Sequence, residues 1–297
     1  MGTTAHLAVD AGHAELLEPA VARLHDLAAR WTRFDPASEL GRINAATGAP
    51  VVVSLDTARL VEAALDAWRR TDGRFDPSTH DALVAAGYDR TFADGPGPGG
   101  PAHRAPGVAD VQVDTATGVV VVPAEVRLDF GGIGKGYAAD VLVDGLRSGG
   151  ATGAAVTIGG DARVDGECPF AAGWPIHTAE STEPIAHLAA GGFCFSTTRK
   201  RRWIAAGEER HHIIDPRTGR PAGGGVADVA VAAASATVAE IHATAAVVAG
   251  MPDALTHLTA SGLDGFVVDD AGTHHRFGVW DQSPSISSRA ADGGSRE

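Results

Sequence analysis

Glu240 and Thr244 in "AEIHAT" lie four positions apart, a spacing that on a helix stacks a carboxylate and a hydroxyl on one face. Both are hard oxygen donors. They suit magnesium, which keeps several waters and takes one or two protein oxygens together with substrate phosphates. A solvated helix face produces the same pair, so the pattern needs support from elsewhere in the chain. The stretch "RLDFGGIGKGYAAD", residues 127 to 140, offers a phosphate cradle: glycine N–H groups opening a helix, with Lys135 among them and Asp129 just ahead. It is not a dinucleotide fingerprint, because after Gly132 and Gly134 the third glycine, Gly136, arrives one residue early. Nor is it the loop of nucleotide hydrolases, which needs Ser or Thr where Gly136 follows Lys135. In "HHIIDPRTG", Asp215 and Pro216 open a β-turn, and "GRFDPST" repeats that grammar at Asp76 and Pro77. His211 and His212, adjacent on a strand, point to opposite faces, so at most one of them faces a given pocket.

The elements that must position these groups belong to a chain of 297 residues with 44% hydrophobic residues, enough to bury a sizeable core. The formal charge of −13 repels nucleic acid and anionic membranes. A polyphosphate bound here needs a local cation or a focused basic loop, which points towards a metal. Cys168 and Cys194 lie far apart with no CxxC, which excludes a disulfide framework and a thiolate zinc site; both are expected in the core. No apolar run is long enough for stable membrane insertion, and the start lacks the basic and apolar segments of a signal peptide, so the expected location is cytoplasmic.

"DTARLVEAALDAWRRTDG" predicts an amphipathic helix with Leu60, Val61, Ala64, Leu65 and Trp68 on one face, capped by Asp56 and ended by Gly73. Residues 95 to 107 are too rich in Gly and Pro for regular structure and read as an exposed loop. A hairpin turning near Thr117 and Gly118 is followed by a strand "RLDF", a helix "YAADVLVDGLRSGG", and a strand broken at Gly159 and Gly160. Later come an apolar strand "VADVAVAAASA", the helix "TVAEIHATAAVVAG", a further short helix, and closing strands around "GFVVDD" and "HRFGVW". Helices and strands mix irregularly, which predicts an α+β fold of mixed sheets with packed helices. The expected organisation is one compact unit over 1–282, with a disordered tail over 283–297.

Taken in order, these pieces resemble the ApbE family of FAD:protein FMN transferases. The likeness runs through "MGT" at 1 to 3, "FDPASELGRIN" at 34 to 44, "DGRFDPST" at 72 to 79, and "LDFGGIGKGYAAD" at 128 to 140. It continues through "VTIGGDARVDG" at 156 to 166, "HHIIDPRTGRP" at 211 to 221 and "AEIHATAAVVAG" at 239 to 250. Each motif is modest alone, and the collinear set is specific. Two departures stand out. The family usually shows Asp where this chain has Glu240, and it tends to a Ser-Gly pair where "FSTTRKRRW" has Thr198 and Arg199.

The resemblance implies a T-fold-related scaffold that uses FAD as substrate. It implies FAD contacts from Met1, Phe34, Arg74, Phe75, Asp76, Asp129, Lys135, His211 and His212, and a Mg2+ ion held by Glu240, Thr244 and the main-chain oxygen of Gly132. The implied reaction moves FMN from FAD to a Ser or Thr hydroxyl of an acceptor protein and releases AMP. His212 by type, or a carboxylate near the metal such as Glu240, is the candidate base. Two alternatives remain: an FAD pyrophosphatase, in which water takes the place of the acceptor, and a non-catalytic flavin-binding protein.

Overall fold

The computed structural model describes residues 3–177 and 183–282. Met1 and the expected tail from Ser283 lie outside the described residues. The central element is a seven-stranded antiparallel sheet formed by β1 (Ala5–Val9), β2 (Gly153–Ile158), β3 (Asp161–Gly166), β4 (Gly191–Thr197), β5 (Val226–Ala233), β6 (Asp264–Asp269) and β7 (His274–Phe277). Each strand pairs with its neighbour in chain order, from Ala5 opposite Ile158 at one edge to Gly265 opposite Phe277 at the other. Both faces of this sheet are covered, which explains why β4 and β5 read as near-continuous apolar runs and not as alternating ones. Along β5, Val229 and Val231 enter the main core, whereas Ala230 and Ala232 join Phe193 and Ile176 on the opposite face.

Among the described residues seven α-helices accompany the sheet: α1 (Leu17–Trp31), α2 (Glu39–Ala45), α3 (Leu55–Arg70), α4 (His80–Ala85), α5 (Gly134–Ser148), α6 (Ala236–Ala249) and α7 (Asp253–Ala260). α5 and α6 lie side by side on one face of the sheet. Only α6 is apolar around nearly its whole circumference, as expected of a helix enclosed by other elements; Ser235 caps it by accepting the Val238 N–H. The mixture bears out the α+β expectation.

Several local expectations hold. α3 buries Leu60, Val61, Ala64 and Leu65 and leaves Trp68 half-buried. The predicted hairpin pairs Gln112–Asp114 with Val119–Val121, and Gly159 and Gly160, both at positive φ, turn β2 into β3. Residues 95 to 107 carry no helix or strand. Three expectations fail for identifiable reasons. Ser54, not Asp56, caps α3 by accepting the Thr57 N–H, while Asp56 turns outward to pair with Arg23. "RLDF" forms no strand, because Asn44 takes both main-chain groups of Leu128, accepting its N–H at 2.7 Å and donating to its C=O at 2.9 Å. Cys194 is fully buried as expected, but Cys168 is only half-buried, in the loop after β3. Among the described residues no helix is long and apolar enough to cross a membrane.

Candidate active site

A cavity of about 1230 Å³ opens between the helices, the sheet and the loops that precede α4 and α5. Phe34, Arg74, Phe75, Asp76, Asp129, Gly132, Lys135, His212, Glu240 and Thr244 all line it. His211 does not. Its Nε2 meets the Ala222 carbonyl at 2.9 Å and its Nδ1 accepts the Ile213 N–H, so it braces the turn that follows while its neighbour faces the cavity. The strand Glu208–His211 ends at the first histidine and His212 lies in the bend after it, so strand alternation does not decide between them; His212 is the one on the cavity wall.

The "GGIGKG" joint works by close approach. At Gly132 a Cβ would stand 3.2 Å from both the Thr244 hydroxyl and the Phe75 ring, so any side chain here would have to push these two back by a few tenths of an ångström. Gly136 packs directly on the first turn of α6 and donates its N–H to Glu240 Oε2 at 2.7 Å. The same carboxylate forms an ion pair with the Lys135 ammonium, whose other partner is Asp161. Glu240 and Asp161 are 2% and 1% exposed. Burial pushes Glu240 up to about 7, against the pull of Lys135, while Asp161 adds to the rise. Burial alone would lower the Lys135 pKa, but the two carboxylates outweigh it and hold the side chain charged. Asp161 also accepts the Phe195 N–H at 3.0 Å, which fixes it to β4. Lys135 is therefore a partly exposed cation on the cavity wall, held between two carboxylates.

Asp129 forms an ion pair with Arg33 at 2.9 Å, both side chains being almost enclosed, and accepts the Gly131 N–H at 2.7 Å. The Arg33 guanidinium lies over the rings of Phe34 and Tyr88, 4.4 and 4.6 Å from their centroids. Asp76 accepts from the Ser78 N–H and hydroxyl at 2.8 and 2.6 Å; burial raises its pKa, and those hydrogen bonds oppose the rise. Burial first, then the charge of Arg201, depresses His212 to about 3, so it is an uncharged imidazole at neutral pH. Its Nδ1 has no hydrogen-bond partner. The Thr198 hydroxyl donates to the Val226 and Ala227 carbonyls and so ties down the end of β4.

Arg33, Asp161, Tyr88 and Ser196, whose hydroxyl lies 3.4 Å from that of Thr244, were not singled out from the sequence. The signal for Asp161 was present, since a double glycine that reverses a strand delivers the next side chain back towards the loop before it. Arg33 had none: its partner is almost 100 residues away.

An antiparallel sheet with two helices pressed on one face, and a cavity where glycine main chain, buried carboxylates and a hydroxyl converge, defines a site able to receive a charged, partly aromatic ligand. The chain matches the ApbE family over residues 1–267 and belongs to it. It is 30% identical over 244 residues to an FAD:protein FMN transferase of Rhodobacter capsulatus, covering 75% of this chain but 44% of that protein's length. It is 27% identical over 278 residues to one of Haemophilus influenzae, covering 86% and 80% of the two chains. Among solved structures, the ApbE protein of Thermotoga maritima superposes with a TM-score of 0.79 at 26% identity, over 94% of this chain and 95% of that one. The flavin transferase ApbE of Vibrio cholerae superposes at 0.75 with 24% identity, over 93% and 94%, and shares the fold.

Proposed function

We propose that this chain transfers FMN from FAD to a Ser or Thr hydroxyl of an acceptor protein in a magnesium-dependent reaction that releases AMP. What supports this reading is the convergence on one cavity of every described residue that the resemblance implies, His211 excepted, from segments spread along the chain, in a family whose curated relatives carry this activity in their names. Among the described residues no three His, Cys, Asp or Glu side chains converge as metal ligands, so a cation here draws on few carboxylates and on hydroxyl, main-chain and phosphate oxygens. The donor set fits magnesium in that form: the Thr244 hydroxyl, the Gly132 carbonyl beside it and the Glu240 carboxylate would hold it. Bound there, it would supply neutralisation of the charge that builds on the phosphoryl oxygens. Asp161 leaves Lys135 a partner when Glu240 is engaged elsewhere.

In the proposed step the acceptor oxygen forms a bond to the FMN phosphorus, the anhydride bond to the AMP phosphate breaks, and the acceptor proton passes to a base. His212, which burial and Arg201 keep uncharged and whose Nδ1 has no partner, is the candidate for that base, because Glu240 is engaged in holding the metal. Phe34 and Tyr88, stacked with Arg33, offer a rigid aromatic wall for the flavin ring.

Mass spectrometry tests the reading. The protein is incubated with FAD, magnesium chloride and a flavin-carrying domain, and the expected product is that domain with an added FMN on one Thr or Ser, together with AMP. Free FMN formed at the same rate with and without acceptor would make the protein a pyrophosphatase. Tight FAD binding with no AMP release would make it a flavin carrier.

A further inference from the structure

The run Arg199, Lys200, Arg201, Arg202 is four consecutive cations in a chain of net charge −13. It forms the loop between β4 and the strand Arg202–Ala205. Its outer members are anchored: Arg199 pairs with Asp228 at 3.3 Å, and Arg202 grips Glu209 through two contacts of 2.7 Å while donating to the Thr198 carbonyl. The inner two, Lys200 and Arg201, line the cavity and have no ion-pair partner among the described residues. Arg201 is half-buried and holds φ at +50, a left-handed conformation uncommon for a side chain of this size.

Of the other charges on the cavity wall, all but Arg74 are matched. Asp129 has Arg33, Glu240 has Lys135, and Asp76 has the Ser78 donors. Arg74 donates to the Thr71 carbonyl. Lys200 and Arg201 share the wall of this one cavity with His212, Lys135 and Glu240. A half-buried guanidinium and an adjacent ammonium, both without a counter-charge, favour an anion inside the cavity. A planar fork beside a point charge matches phosphate oxygens.

We propose that Lys200 and Arg201 form a phosphate clamp that acts without metal, gripping a phosphate of the flavin nucleotide as it enters. The assignment rests on the cavity being a flavin-nucleotide site. The clamp works in binding: it recognises phosphate whether that phosphate belongs to FAD, to FMN or to free pyrophosphate, and it ignores the flavin ring.

The test is calorimetric titration in EDTA of the full chain and its Lys200→Gln/Arg201→Gln variant with FAD, FMN, pyrophosphate and riboflavin. The double variant should lose about tenfold in affinity per removed charge for FAD, FMN and pyrophosphate, and nothing for riboflavin. Its FAD affinity should also depend less steeply on salt, and Arg201→Lys should retain more affinity than Arg201→Gln. FAD affinity of the double variant within twofold of the parent overturns the clamp and leaves the flavin-transfer reading standing. Pyrophosphate binding that is lost in the double variant, in a parent that binds no flavin, keeps the clamp and overturns the flavin reading. Lys200 is exposed, so Lys200→Gln alone carries the comparison should the double variant melt early.

Discussion

Gly136→Ala tests whether the contact between α5 and α6 sets the geometry of the site. An added Cβ would stand 2.4 Å from the Ala236 carbonyl oxygen, 2.6 Å from its carbon and 2.9 Å from the Thr237 nitrogen, all main-chain atoms that cannot rotate away. Relief requires the helices to part by about an ångström, and overpacking of this kind costs about 1–3 kcal/mol. Parting is resisted one turn along, where Asp140 accepts the Ala236 and Thr237 N–H groups at 2.9 and 2.8 Å. Loosening those bonds and the one from Gly136 to Glu240 adds about 1 kcal/mol each, against a gain of about 1 kcal/mol from the helix propensity of alanine. The net loss is about 3–5 kcal/mol, or a fall in Tm of roughly 5–10 °C at this chain length. Gly145→Ala is the matched control: it lies in the same helix with nothing within 4 Å of the new Cβ, so it should be neutral or stabilise by about 0.5–1 kcal/mol. Urea unfolding followed by circular dichroism reads both. Equal stability of Gly136→Ala and Gly145→Ala would refute the close helix contact and the account of how Glu240 is held.

Lys135→Met leaves Asp161 and Glu240 facing each other without a cation, so it should destabilise by about 3–5 kcal/mol. The loss should grow between pH 5 and pH 8 in a thermal melt, because acid can neutralise the carboxylates and base cannot. Asn44→Ala frees both main-chain groups of Leu128 and should cost about 1–3 kcal/mol; hydrogen exchange should show faster opening at residues 127–131 than in α3. Burial, then His257, lowers His242 to about 4, and His257 is itself lowered by burial. The unfolded chain then binds more protons than the folded one between about pH 6.5 and 4, so stability is full above that window and falls as pH drops through it. His242 alone accounts for about 3 kcal/mol, and His242→Gln should flatten the dependence of Tm on pH in this range; a slope equal to the parent's would remove the pair as a cause.

Periodicity carried the parts of the fold that depend on neighbours in sequence. α6 was legible because "TVAEIHATAAVVAG" is apolar on every face, and the turn at Gly159 and Gly160 because two glycines interrupt an apolar run. The "RLDF" segment misled because its extended, apolar look is that of a strand, while its hydrogen bonds go to Asn44, 84 positions earlier. The site divides the same way. Glu240 and Thr244 stand out by their spacing on one helix, whereas strand alternation could not choose between His211 and His212, because the strand ends at His211. The ion-pair network was invisible: Lys135 meets Asp161 at 26 residues' separation and Glu240 at 105. No local pattern encodes that a lysine in a glycine-rich joint will be paired with two distant carboxylates.

The sheet follows chain order, yet its first two strands are divided by most of the site: Phe34, Arg74 to Asp76, Asp129 and the glycine joint all fall between β1 and β2. β1 leaves the ribosome well before β2 and waits for a partner made some 150 residues later, on the order of ten to thirty seconds at about 5–20 residues per second. Its "AHLAV" edge is unpaired through that interval, and an unpaired apolar edge is a template for the wrong strand. Closing so long a loop adds little to the entropic cost, which rises only with the logarithm of length. The burden of this topology is therefore one of timing, and nascent chains stalled before residue 153 should be more readily captured by a chaperone than chains stalled after residue 166.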